Sequence, residues 1–223
     1  MTDVLEEQLA AIALDHSPAV LANSLSAEDM ILTDAIARLN LPITVFVLDT
    51  GRLHADTLDL IDAIKARYRI AVEVYQPRTM AVQAYVQVYG RDAFYDSLEL
   101  RRSCCDIRKV EPLRRALAGK RAWITGQRRA QSTGRAALAE REFDLAHGLV
   151  KFNPLAAWSE EEIWQYVTSH DVPYNRLYDQ GYRSIGCAPC TRPVLPGEDV
   201  RAGRWWWEIP EHKECGLHRK VTA

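Results

Sequence analysis

Short apolar runs alternate with amphipathic stretches through the first two thirds of the chain. Residues 19–23 (AVLAN) and 43–48 (ITVFVL) are short, mostly apolar runs, the pattern of strands covered on both faces of a sheet. Residues 70–75 predict a third strand and residues 123–125 a fourth. Between them, residues 28–38 and 55–67 carry apolar side chains at helical spacing. Ser26 can cap the first of these helices, with Asp29 standing where a capping box usually has Glu. Strands alternating with helices predict an α/β fold, a doubly wound and mostly parallel sheet with helices on both faces. Ligands of such sheets sit beyond the carboxyl ends of the strands, here residues 24–26, 49–51 and 126–129.

After about Asn153 the texture changes. One clear helix remains, opened by Ser159 with Glu162 in capping-box spacing and continued by Ile163, Trp164 and Val167. The rest is loop-rich, with Pro173, Pro189, Pro193, Pro196 and Pro210. So long an irregular stretch needs something to tie it down, and a metal site would serve. We expect a single domain over residues 1–223, ending in a mobile tail over 209–223.

The 223 residues suffice for one α/β domain with a real core, and the formal net charge of -2 points to no class of partner. Local charge says more. Arg101, Arg102, Arg108, Lys109, Arg114, Arg115, Lys120 and Arg121 face only Asp106 and Glu111 in their stretch. Such a run is either a solvated helix face or a positive pocket for an anion. The N-terminus lacks the basic-then-apolar order of a secretory signal, and the most apolar run, 43–48, is too short to span a bilayer. A soluble cytoplasmic protein without membrane contact is expected. In that compartment cysteines stay reduced, so five of them suggest metal binding or catalysis before disulfides.

Cys187 and Cys190 form a C-x-x-C within GCAPC, and Cys104 and Cys105 are adjacent. Four thiolates from two segments suit a tetrahedral zinc or a [4Fe–4S] cluster; the alternatives are a redox pair at 187 and 190, or inert buried thiols. Cys215 stands apart in KECGLHRK. Lys213, His218, Arg219 and Lys220 around it favour its thiolate, and Glu214 opposes them. It is either a nucleophile or an exposed tail cysteine without a role.

Taken together, eight segments resemble the assimilatory adenylyl-sulfate and phosphoadenylyl-sulfate reductases. They are SLSAED (24–29), LDTGRLH (48–54), CCDIRKVEPL (104–113), ITGQRRAQSTGR (124–135), KFNPLAAW (151–158), GYRSIGCAPCTRPV (181–194), GRWWWE (203–208) and ECGLH (214–218), spread over nearly the whole chain. The resemblance implies a fold related to the adenine-nucleotide α-hydrolases, with a loop-rich, cluster-binding C-terminal part and a flexible tail. It implies that Cys104, Cys105, Cys187 and Cys190 hold a [4Fe–4S] cluster, the mark of the branch acting on adenosine 5′-phosphosulfate. Cys215 matches the family nucleophile. Its thiolate would form an S-sulfocysteine that thioredoxin, or a similar dithiol carrier, resolves to release sulfite.

Within that frame Lys109 is expected between the cluster and the phosphosulfate, and Arg135, Arg201 and Arg204 on the sulfate and phosphate oxygens. Ser24, Ser26, Asp49, Thr50 and Gly126 are expected to line the strand ends where adenosine lies. His218 either orients the tail and assists the thiol or is an exposed terminal histidine. Trp205, Trp206 and Trp207 are read as packing at the hinge of the tail. Monomer and homo-oligomer are both open, and no nucleic-acid partner is expected.

Three other readings compete. One is a reductase of the 3′-phosphorylated substrate. Another is a cluster-bearing ATP pyrophosphatase that thiolates tRNA, against which SLSAED lacks the glycines of a triphosphate-cradling S-G-G-x-D-S turn. The third is a zinc-stabilised nucleic-acid-binding module using the basic run.

Overall fold

The computed structural model describes residues 2–209, Lys213 and Leu217, with Thr133 described for its backbone alone. Six strands form one sheet: β1 Ala19–Ala22, β2 Ile43–Leu48, β3 Val72–Tyr75, β4 Ala122–Ile124, β5 Arg141–Asp144 and β6 Leu149–Phe152. Their order is β3-β2-β1-β4-β6-β5, parallel throughout except for the antiparallel edge strand β5. The strand order reverses between β1 and β4, which lie side by side with Ala19 opposite Ala122 and Leu21 opposite Ile124. In open α/β sheets that reversal opens a crevice beyond the carboxyl ends of the two strands.

Alternate strand residues feed two cores, as the pleat requires. Leu21, Val45, Val47 and Ile124 join one core with α1 (Thr2–Asp15), α2 (Ala27–Arg38), α3 (Ala55–Tyr68) and α7 (Glu160–Ser169). Val20, Phe46 and Trp123 pack on the other face with Leu113, Ala116 and Leu117 of α6 (Glu111–Leu117). Helices on both faces make the sheet doubly wound, as the alternation of sequence patterns predicts.

The predicted strands and helices appear at or within two residues of their expected bounds. Ser26 does occupy the N-cap of α2, but its side chain makes no capping bond. Its hydroxyl instead lies 3.4 Å from a carboxylate oxygen of Asp29, whose group is engaged across the site. Ser159 and Glu162 form the reciprocal capping box of α7 that their spacing predicts. Beyond the expected elements the structure adds α1, α4 (Thr79–Tyr89) and the β5–β6 hairpin. Among the described residues, no helix is long and apolar enough to cross a membrane.

One further element shapes the site. Helix α5 (Leu98–Cys105), capped by the Ser97 hydroxyl, runs into a π-helical turn over Asp106–Val110 and then into α6. Pro112 lacks the N–H that a regular helix would direct to Arg108 and would crowd that carbonyl, so the backbone widens there. The widened turn carries Arg108 and Lys109 just beyond the paired cysteines.

Candidate active site

A cavity of about 230 Å³ opens beyond β1 and β4, at the reversal of strand order. Its apolar side is built from Ala22, Phe46, Leu48, Leu113 and Trp123, together with Leu217. Its polar side carries Ser24, Ser26, Thr50, Gly126 and the cations Lys109, Arg135, Arg201 and Arg204, brought together from six separate stretches of sequence.

The strand-end loops are tied by Asp29, a residue sequence reasoning used only as a cap. Its Oδ2 accepts the Ser24 N–H at 2.8 Å and the Ser24 hydroxyl at 2.5 Å, and its Oδ1 accepts the Gly126 N–H at 2.8 Å. One carboxylate thus holds the loop after β1 against the loop after β4. Burial pushes the Asp29 carboxyl up to about 6, against the pull of the hydrogen bonds from Ser24 and Gly126. Gly126 is required here: a Cβ would stand 2.5 Å from Asp29 Oδ1 and 2.7 Å from Glu28 Cβ. Neighbouring Glu28 is also buried and accepts Arg128 Nε and Gln131 Nε2, each at 2.9 Å. Arg128 is therefore a buried strut of the wall, though it falls in the strand end singled out from sequence. Its signal was the acidic pair Glu28–Asp29 at the start of a helix beside a strand end.

The expected anion-binding cations differ in how they are held. Arg204 is buried, donates from Nη1 to the Ile185 carbonyl at 3.0 Å and packs its guanidinium over Trp205 at 4.5 Å. Gly186 makes that approach possible, since a Cβ there would meet the guanidinium at 2.7 Å. Arg201 Nη2 donates to the Lys213 carbonyl at 2.8 Å, and Arg135 Nη1 is bonded to Gln131. Arg183, Trp164 and Tyr178 also line the cavity and were not singled out from sequence. Asp49 is placed elsewhere: its carboxylate accepts the Gly51 N–H at 2.9 Å and the Gln76 amide at 2.8 Å, and it does not line the cavity. Cys215 and His218 lie outside the described residues.

Behind the cations sit the other four cysteines. Cys104 and Cys105 end α5; Cys187 and Cys190 flank a short 3₁₀ turn over Ala188–Cys190. That turn is fastened from several sides. Ala188 N–H donates to the Arg52 carbonyl at 2.7 Å, Tyr95 hydroxyl to the Pro189 carbonyl at 2.5 Å, and Trp205 N–H to the Cys190 carbonyl at 3.1 Å. Thr50 bridges the two regions, lining the cavity while its hydroxyl lies 3.2 Å from Cys187 Sγ. Burial raises the Cys104 thiol, with Arg108 acting against it and the charge of Cys187 adding to it. Burial pushes the Cys190 thiol up to about 12, with Cys187 and Cys104 adding to the shift and Lys109 and Arg204 opposing it. Three of the thiols thus share one electrostatic environment, and two cavity cations act on it. Among the described residues, no three His, Cys, Asp or Glu side chains converge tightly enough to hold a single ion.

The basic run divides by position. Arg101 and Arg108 are buried, Arg115 pairs with Glu111 at 3.0 Å, and Arg102 and Arg114 are exposed.

Residues 18–193 match the phosphoadenosine phosphosulfate reductase domain family. The chain belongs to that family. A curated relative, the adenosine 5′-phosphosulfate reductase of Allochromatium vinosum, is 56% identical over 97% of this chain and 85% of its own length. Among solved structures, the phosphoadenylyl-sulfate reductase of Candida auris in its phosphate complex superposes with a TM-score of 0.73 at 26% identity. That match covers 85% of this chain and 90% of the other. The FMN adenylyltransferase of Candida glabrata shares the fold at a TM-score of 0.55 and 14% identity, over 99% of this chain and 75% of its own. The reductase family is the one that the eight sequence segments imply.

Proposed function

We propose that this chain reduces adenosine 5′-phosphosulfate to sulfite and AMP. Cys215 is its nucleophile, Cys104, Cys105, Cys187 and Cys190 carry a [4Fe–4S] cluster, and thioredoxin or a similar dithiol carrier is its reductant. The observation that carries this reading is the cavity at the strand-order reversal, whose cations Lys109 and Arg204 also act on the Cys190 thiol. The name of the Allochromatium vinosum relative supports the substrate.

The residues present fit the cluster. Four thiols from two segments form a soft donor set, and such a cluster takes each thiolate on its own iron rather than at one shared ion. Trp205 Nε1 and Arg204 Nε are buried donors without a hydrogen-bond partner among the described residues, on the segment fastened to Cys190. Buried donors of this kind call for acceptors such as cluster sulfurs. When bound, the cluster supplies fixed local charge and ties down the loop-rich segment, while both electrons come from the carrier's dithiol.

The chain's own residues then divide the work. Adenosine lies against the apolar wall of Phe46, Leu48 and Trp123, with Ser24, Ser26 and Gly126 at the strand ends. Lys109, Arg135, Arg201 and Arg204 neutralise the phosphosulfate, where guanidinium forks suit tetrahedral anions. The Cys215 thiolate, on a tail over residues 209–223, attacks the sulfonyl sulfur. The S–O bond breaks, AMP leaves with the electron pair, and an S-sulfocysteine remains. A carrier thiolate attacks Cys215 Sγ, sulfite departs with its electron pair, and the second carrier thiol resolves the mixed disulfide.

Anaerobically purified protein mixed with adenosine 5′-phosphosulfate, without a reductant, should release about one AMP per chain and gain a sulfonate on Cys215 by peptide mass spectrometry. AMP release with the sulfonate elsewhere, or none, would remove Cys215 from this role. The runner-up is reduction of the 3′-phosphorylated substrate, which the Candida auris neighbour's name favours.

A further inference from the structure

The segment that precedes Cys215 is fixed by an ion pair that the reaction itself does not use. Arg101, on α5, has a side chain 1% exposed, and its partner Glu208 is 7% exposed. The pair is bidentate, Nε to Oε1 and Nη2 to Oε2, both at 2.8 Å. The same guanidinium interacts electrostatically with the Cys105 thiol, four residues further along α5, and lies 4.5 Å from the centre of the Trp205 ring. Arg204 covers that ring at the same distance, so Trp205 is held by two guanidiniums. It is held, moreover, in a left-handed backbone conformation, φ +41, which an aromatic residue adopts only when its surroundings impose it.

A buried ion pair is a poor source of net stability, because apolar side chains of similar volume often serve as well. What it supplies is direction. Residues 200–209 contain no helix or named strand, and Glu208 is followed at once by the stretch leading to Cys215. Six residues lie between Glu208 and Cys215, a reach of at most about 25 Å. Moving the start of so short a tether moves everything its end can touch. The far side of the tether is placed as well: Arg201 holds the Lys213 carbonyl at 2.8 Å.

We infer that Arg101 is a positioning residue: through Glu208 it fixes where the nucleophile-bearing tail leaves the domain, and through α5, which ends in Cys104 and Cys105, it ties that point to the cysteine site. The inference rests on the role proposed for Cys215.

The test compares the parent with Arg101→Met, and with the double variant Arg101→Met/Glu208→Leu, which leaves neither charge buried alone. All are purified anaerobically, with thermal melting and iron content measured first. Tryptic cleavage after Lys213 reads the tail's anchoring without any need for activity. We expect the double variant to melt near the parent yet be cut after Lys213 about tenfold faster, because an apolar pair restores burial without direction. Its kcat for sulfite formation should fall about tenfold while KM stays within about twofold, since the tail and not the substrate cavity has moved. Parent-like protection at Lys213 in the double variant overturns the inference, whatever its activity. A parent that forms no sulfite would retire the proposed function, and the proteolysis comparison would still decide the anchor.

Discussion

A Cβ added at Gly126 would stand 2.5 Å from Asp29 Oδ1, 2.7 Å from Glu28 Cβ and 3.1 Å from the Asp29 nitrogen. None of these is the free end of a flexible chain, so the strand-end loops themselves must move. Gly126→Ala should therefore cost about 1–3 kcal/mol in denaturant unfolding and lose a larger share of kcat/KM. Parent-like values of both would show that the loops yield without consequence. Asp29 makes a second prediction. The fold holds its proton up to about 6, above the ordinary 3.8, because the carboxyl is buried. Between those values the folded state binds more proton than the unfolded chain, so this contribution favours the fold at low pH and is lost as pH rises to about 6. Unfolding curves of the parent between pH 4 and 7, set against Asp29→Asn, should show the slope in the parent alone. Ser24, Ser26 and Gly126 are legible at strand ends, but this staple is not, because a carboxylate at a helix start reads first as a capping group.

Among the elements, α7 was fully legible, since its capping box is written in adjacent residues. Ser159→Ala should lower stability by about 1 kcal/mol, visible as a modest fall in melting temperature. An unchanged melting temperature would mean that packing alone sets that helix start. Helix α1 buries Leu5, Leu9, Ile12 and Ala13 at helical spacing, although its sequence reads first as an acidic N-terminus. Helix α4 was harder: its apolar residues suggest a core, yet only Tyr85 is buried. The β5–β6 hairpin hid because edge strand β5 alternates exposed and half-buried residues and offers no apolar run. The π turn before Pro112 is legible from that proline, which cannot supply the N–H that a regular helix would direct to Arg108.

At the scale of the molecule, the site was legible because topology brings together what sequence separates. The alternation of strands and helices predicts a site beyond the strand ends, and the structure puts residues from well-separated stretches around one cavity there. The cysteine pairs can be grouped from spacing, but the contact of Thr50 with Cys187 and the pull of the Lys109 and Arg204 charges on Cys190 emerge only in the folded chain. Asp49 shows the limit of such reasoning: it stands at a strand end, yet its carboxylate turns to Gly51 and Gln76. The central claim is a thiol-dependent reduction of adenosine 5′-phosphosulfate in this cavity. Its most direct test is sulfite release by anaerobically purified protein with reduced thioredoxin, given that substrate or its 3′-phosphorylated form. Sulfite should form from adenosine 5′-phosphosulfate with a kcat/KM far above that for the 3′-phosphorylated form. Sulfite from neither, or a preference for the 3′-phosphorylated form, would contradict it.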